Sequence, residues 1–115
     1  MANLFATEAT HMSVVEAATR ISKEYSALSN VYRTMTLGYL VVKKRGTWTD
    51  IKKFLESQVG PVNPNTLHFH LKALVQNGFI VATGSQEKPV YQVGQLSPEI
   101  EQSIGAVIKL IERAK

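Results

Sequence analysis

The chain contains no cysteine. That excludes a disulfide framework, a thiolate zinc site and thiol redox chemistry, and it fits a cytoplasmic protein. Nor is there an apolar run of membrane-spanning length, or a basic N-terminal stretch leading into an apolar core. Neither a membrane span nor a signal peptide is therefore expected. There is no Gly-x-Ser-x-Gly elbow and no phosphate-cradling glycine loop. Asp50, Glu56 and Glu87 show no spacing that suggests a paired acid and base. The three histidines do not assemble a metal site either. His68 and His70 stand two apart, so on a helix they diverge, and His11 is remote. An enzyme is not expected, and neither a metal, a cofactor nor a small-molecule effector is implied.

What the chain does have is size and charge suited to one folded domain. Its 115 residues with 44% hydrophobic content allow one modest core. The net charge is +4, unevenly placed. Between Val31 and Gln95 lie Arg33, Lys43, Lys44, Arg45, Lys52, Lys53, Lys72 and Lys88, against only Asp50, Glu56 and Glu87. Clustered positive charge of this kind suits a polyanionic partner, although a solvated surface would look the same in a charge tally.

The most informative stretch runs from Asn63 to Val81. Asn63 is a helix cap and Pro64 a first-turn residue. Leu67, Leu71 and Leu74 recur at helical spacing, and Asn77-Gly78 closes the element. The opposite face carries Asn65, Thr66, His68, Phe69, Lys72 and Gln76, with no carboxylate. Donors and acceptors without negative charge suit base edges and phosphates, so the reading is a recognition helix rather than an ordinary polar surface helix. Before it, the spacing predicts helices over 13–28 (capping box Ser13/Glu16), 31–45 and 49–58. Ile51, Phe54, Leu55 and Val59 form the buried stripe of the third of these, with Lys52 and Lys53 outward and Gly60-Pro61 as its stop. Lys43-Lys44-Arg45 is expected at the end of the second, with Gly46 ending it. There the triplet would complement the helix dipole, contact phosphate, or do both. Thr47-Trp48-Thr49 is β-prone and short.

After the recognition helix, Phe79–Thr83 and Pro89–Val93 read as a hairpin joined through Gly84–Lys88, with Val81, Val90, Tyr91 and Val93 packing on the helices and Trp48 bringing in a third strand. Ser97, Pro98 and Glu99 start a last helix with Ile100, Ile104, Val107, Ile108 and Ile111 on one face. That stripe could cap the chain's own core or form a coil with a second copy. The second use is expected, because the stripe is long, terminal and follows a complete unit. The fold class is thus α+β, mainly helical: a winged helix-turn-helix with extra N- and C-terminal helices. Residues 1–30 form an arm and helix, 31–95 the DNA-binding unit and 96–115 the dimerisation helix, all one domain.

From Thr49-Asp50-Ile51 through Leu67-His68-Phe69-His70-Leu71-Lys72-Ala73-Leu74 to Gly78-Phe79-Ile80, the chain resembles the winged helix-turn-helix transcriptional regulators of the ArsR-like and MarR-like groups. The resemblance spans about Val31 to Val93. It implies a cytoplasmic, prokaryotic, dimeric regulator bound to double-stranded DNA. By position, Asn65, Thr66, His68 and Phe69 would meet bases and phosphates, Lys72 a phosphate, and His70 would be a semi-buried structural histidine. Lys43, Lys44, Arg45, Lys52, Lys53 and Lys88 are further phosphate candidates. The wing departs from the pattern, being short with Lys88 offset by Glu87. The rival reading is a winged-helix adaptor that binds protein in a transcription or replication assembly.

Overall fold

The computed structural model describes residues 13–114; His11 and the expected N-terminal arm lie outside them. Helix α1 (Val14–Ala27) opens on the Ser13/Glu16 capping box, with the Ser13 hydroxyl accepting from the Glu16 N–H at 3.0 Å. Asn30 caps α2 (Val31–Lys43), its Oδ1 accepting from the N–H groups of Tyr32 and Arg33. Helix α2 is the axis of the fold: Thr36, Leu37, Gly38 and Leu40 are buried, and the later helices and the sheet pack around it.

Two boundaries differ from the expectation. Helix α2 ends at Lys43, and the left-handed residue that closes it is Lys44 (φ 77°), not Gly46. Arg45 and Gly46 already belong to strand β1 (Arg45–Thr47), which pairs with the later strand at Val90, Tyr91 and Gln92. Trp48 is not a strand residue. It is the first residue of α3 (Trp48–Val59), because Thr47 and Asp50 form a reciprocal capping box across it. Val59, expected in the core, is exposed.

The turn into the next helix is tied by Glu56. One of its carboxylate oxygens accepts from the Val62 N–H and from Lys52 Nζ, each at 3.0 Å. Asn63 then caps α4 (Pro64–Gln76), accepting from the N–H groups of Asn65 and Thr66. Leu67, His70, Leu71 and Leu74 are its buried side. Gly78 (φ 78°) closes the helix, with its N–H to Val75 O and the Phe79 N–H to Leu74 O, both at 3.0 Å. Those are the two hydrogen bonds of a Schellman motif.

Strands β2 (Ile80–Gly84) and β3 (Pro89–Val93) form the wing in a three-stranded antiparallel sheet of order β1-β3-β2. Tyr91 is buried and Val90 and Val93 partly so, whereas Val81 is exposed rather than packed on the helices. The fold class is as the sequence predicts: mainly helical, with a small sheet.

The terminal helix is broken into α5 (Pro98–Ser103) and α6 (Gly105–Arg113). The Ser103 hydroxyl donates back to the Glu99 carbonyl at 2.8 Å, and Gly105 follows; both loosen a helix at that point. The expected dimerisation stripe is largely used within the protomer. Ile100 and Ile104 are 0% and 2% exposed in the core. Val107 and Ile111 approach Gly38 of α2, and Ile108 packs against the core while remaining partly exposed. The reason is geometric: Gly38 has no side chain, so α6 settles directly on α2. Helix α1 lies against the same end of the chain through Tyr25 Oη–Ser103 Oγ at 2.8 Å and the Ser97 hydroxyl donating to Glu24 at 3.1 Å.

Candidate nucleic-acid interface

Helix α4 turns its carboxylate-free side outward. Asn65, Thr66, His68, Phe69, Lys72 and Gln76 are all exposed. Three supports hold that side in place. At its start, the imidazole of His68 stacks on the indole of Trp48, with centroids 5.4 Å apart. Trp48 itself is fixed at the start of α3 by the Thr47/Asp50 box. At its middle, Arg33 of α2 reaches His70. At its end, Gly78 and Phe79 close the helix against the base of the wing.

Across from His68 lies the wing tip. Gln86, Glu87, Lys88 and Pro89 face Thr47, Trp48, Thr49 and His68 over an open cleft of about 480 Å³. The structure therefore brings Lys88 to the same surface as His68. It does not bring the basic triplet there as one group. Lys43 lines a separate groove with Tyr39, Phe54, Val107 and Leu110, and Lys44 lies near Leu96, Glu101 and Ile108. Both thus sit beside the terminal helix, while Arg45 stands on β1 opposite Gln92 of the sheet. Lys53 is exposed, and Lys52 is engaged with Glu56.

His70 is buried, as a structural histidine would be. Its Nδ1 accepts from Arg33 Nε–H at 3.0 Å, and Tyr32 stacks on its ring at 5.6 Å. Burial, with the Arg33 charge adding to it, pushes the imidazole below its ordinary value of 6.5. The folded chain thus keeps His70 neutral where the unfolded chain takes up a proton. Its contribution to stability is complete above about pH 6.5 and is lost as pH falls from there towards the folded value. His70→Gln should remove that part of the acid sensitivity, which thermal unfolding across the range would measure. Two carboxylates act at lower pH. The Asp50 carboxylate is held below its usual range by the Thr47 backbone N–H first and the Thr47 hydroxyl second. That of Glu56 is lowered by the Val62 N–H first and Lys52 second.

Sequence reading missed Arg33, Trp48 and Glu56 as supports of this surface. Arg33 touches a residue 37 positions away, a separation no local pattern reports. The Thr47-x-x-Asp50 box was legible and would have moved Trp48 from strand to helix. Among the described residues no cluster of histidines and carboxylates could hold a metal ion, and no helix is long and apolar enough to cross a membrane.

No protein-family model matches the sequence, and no curated protein matches it significantly. Solved structures do match the fold. HlyU from Vibrio cholerae superposes with a TM-score of 0.65 at 18% identity, over 83% of this chain and 95% of that one. The AntR antimony-specific transcriptional repressor gives 0.62 at 20% identity, over 90% and 86%. An ArsR-family transcriptional regulator gives 0.57 at 14%, over 84% and 91%. These neighbours are winged-helix regulators, and at such identities the likeness establishes the winged-helix fold.

Proposed function

We propose that this chain is a dimeric, sequence-specific regulator of transcription that binds double-stranded DNA in a prokaryotic cytoplasm. The observation that carries the reading is the outward face of α4, exposed and free of carboxylate. In this reading α4 enters the major groove. Asn65, Thr66, His68 and Phe69 meet the base edges, Lys72 meets a phosphate, and Lys88 follows the backbone beside the groove. Lys53 and Arg45 are exposed and add phosphate contacts, and Lys43 and Lys44 do so only where DNA reaches the terminal-helix side. Lys52 serves mainly the Glu56-tied turn.

Dimerisation draws on what the protomer's own packing leaves uncovered. Leu110 is 63% exposed, Val107, Ile108 and Ile111 are partly exposed, and Val14 and Val15 of α1 are exposed. A two-fold pair would set the recognition helices about one DNA turn, roughly 34 Å, apart and favour a near-palindromic site. Sedimentation at micromolar concentration checks the pairing.

The test of the reading is selection from random duplex DNA followed by affinity measurement at several salt concentrations. The logarithm of affinity should fall linearly with that of salt, by about 0.9 per phosphate contacted. Lys72→Ala should lower that slope by about one and weaken all sequences alike, while Asn65→Ala should relax preference at one base pair. Absent or salt-independent binding overturns the reading. It would favour the protein-adaptor alternative, for which exposed Phe69, Val75 and Val81 would supply an apolar contact.

A further inference from the structure

Phe69 is 63% exposed at the centre of the α4 face, yet its ring is not free. The Arg33 guanidinium lies 5.5 Å from its centroid, and the His70 ring meets it edge-on at 5.4 Å. Arg33 is in turn fixed at two further points. Its Nε–H donates to His70 Nδ1 and its Nη1 donates to the Ala27 carbonyl, both at 3.0 Å. One side chain on α2 thus ties the C-terminal end of α1 to the middle of α4. Arg33 counts towards the basic excess, but its guanidinium is committed to the protein.

We propose that Phe69 reads the C5 methyl of a thymine in the major groove, and that Arg33 is its positioning residue, acting directly on the ring and through His70. The inference rests on the DNA-binding reading above and deepens it. A phenyl ring offers neither a strong donor nor a strong acceptor, so it cannot satisfy the hydrogen-bonding edges of guanine, adenine or cytosine. The apolar feature on the groove edge is the thymine methyl. A ring held by a stacked guanidinium and an adjacent imidazole presents a fixed face to that methyl, whereas a freely turning one would lose rotamer entropy on contact. The Arg33 hydrogen bond needs His70 to be neutral at Nδ1, with the proton on Nε2. The charged and titratable groups against His70 are Arg33 and Tyr32 from α2, and α1 adds the Ala27 carbonyl through Arg33.

Replacing each thymine of a selected site by deoxyuridine removes one methyl at a time and tests this directly. Wild type should lose about threefold to fivefold in affinity at one position per half-site, the size of one buried methyl. Phe69→Ala should bind thymine and uracil there alike, and because Phe69 is exposed this variant should fold normally. Arg33→Gln should shrink the thymine preference while leaving the salt slope unchanged, which loss of a phosphate contact would not do. His70→Gln supplies an amide oxygen to the Arg33 N–H and should keep the preference.

Acidification carried far enough to protonate His70, with its imidazole followed by NMR, should weaken the preference in wild type but not in His70→Gln. That comparison tests the Arg33 contact even if Arg33→Gln is unstable. Salt-dependent binding without a thymine–uracil difference at any position overturns this inference alone. Full retention of the difference in Phe69→Ala or in Arg33→Gln, or a pH response shared by wild type and His70→Gln, also overturns it. A wild type that binds no DNA removes the underlying reading with it.

Discussion

Ile100→Ala and Ile104→Ala should each destabilise the folded protomer by about 2–5 kcal/mol, and the loss should not depend on protein concentration. Both side chains are essentially sealed from solvent within one copy of the chain. Truncating either removes apolar contacts and leaves a cavity that close-packed neighbours fill only in part. A domain of this size is typically stable by about 5–15 kcal/mol, so one such change takes a large share of the total. Had these residues formed a subunit contact, their loss would appear as weaker association, with an unfolding midpoint that moves with concentration.

Denaturant unfolding at two concentrations tenfold apart separates the cases. Leu110→Ala is the matching control on α6. Leu110 is exposed, so its truncation should change protomer stability by about 0.5 kcal/mol or less, while weakening self-association if α6 contributes its outer face.

The periodicity of the terminal stripe was legible in the sequence; its destination was not. Aliphatic residues at helical spacing report that a face is buried, without saying against what. The deciding residue is Gly38, whose lack of a side chain makes α2 a seat for Val107 and Ile111. A glycine inside a helical pattern does not announce its partner. The break at Ile104 likewise depends on a hydroxyl bonding back to a carbonyl, a choice that Ser103 makes in three dimensions.

By contrast, helix α4 was fully bounded by local chemistry. Asn63 and Pro64 open it, Asn77 and Gly78 close it, and the leucines between them fix which side faces in. The outward set from Asn65 to Lys72 follows from that orientation alone. The left-handed Lys44 was invisible because a residue without local preference for that conformation adopts it when helix α2 and strand β1 are both anchored elsewhere. The supports under the outward face of α4 were hidden for a similar reason. Arg33 reads as one more surface cation until α1, α2 and α4 meet around it.

Gly94→Ala should be the most disruptive single-methyl addition in the wing. An added Cβ would stand 2.5 Å from the carbonyl oxygen of Gly78 and 3.3 Å from that of Phe79. Both atoms are main chain and cannot swing aside as a side-chain tip can. The Gly94 N–H also donates to the Phe79 carbonyl at 2.7 Å, so relieving the clash would stretch or break that bond. The site matters because Gly78 and Phe79 form the turn that ends α4, while Gly94 directly follows β3. Here the end of α4 and the wing meet through a backbone contact. The expected cost is about 3 kcal/mol, at the upper end of overpacking effects because the obstacle is rigid. For a domain of this size that corresponds to a fall of roughly 10 °C or more in Tm.

A second readout is functional. With α4 and the wing forced apart, His68 and Lys88 no longer share one cleft geometry. On the proposed DNA-binding reading, affinity for DNA should then fall further than Lys88→Ala alone would lower it, measured at a temperature where the variant remains folded. Gly105→Ala provides the opposite case: a Cβ there meets nothing within 4 Å, and Gly105 lies at the start of α6. The same substitution should therefore be neutral or stabilising by up to about 1 kcal/mol. A Gly94→Ala variant as stable as Gly105→Ala would mean that the wing is not fastened to the end of α4 through this contact.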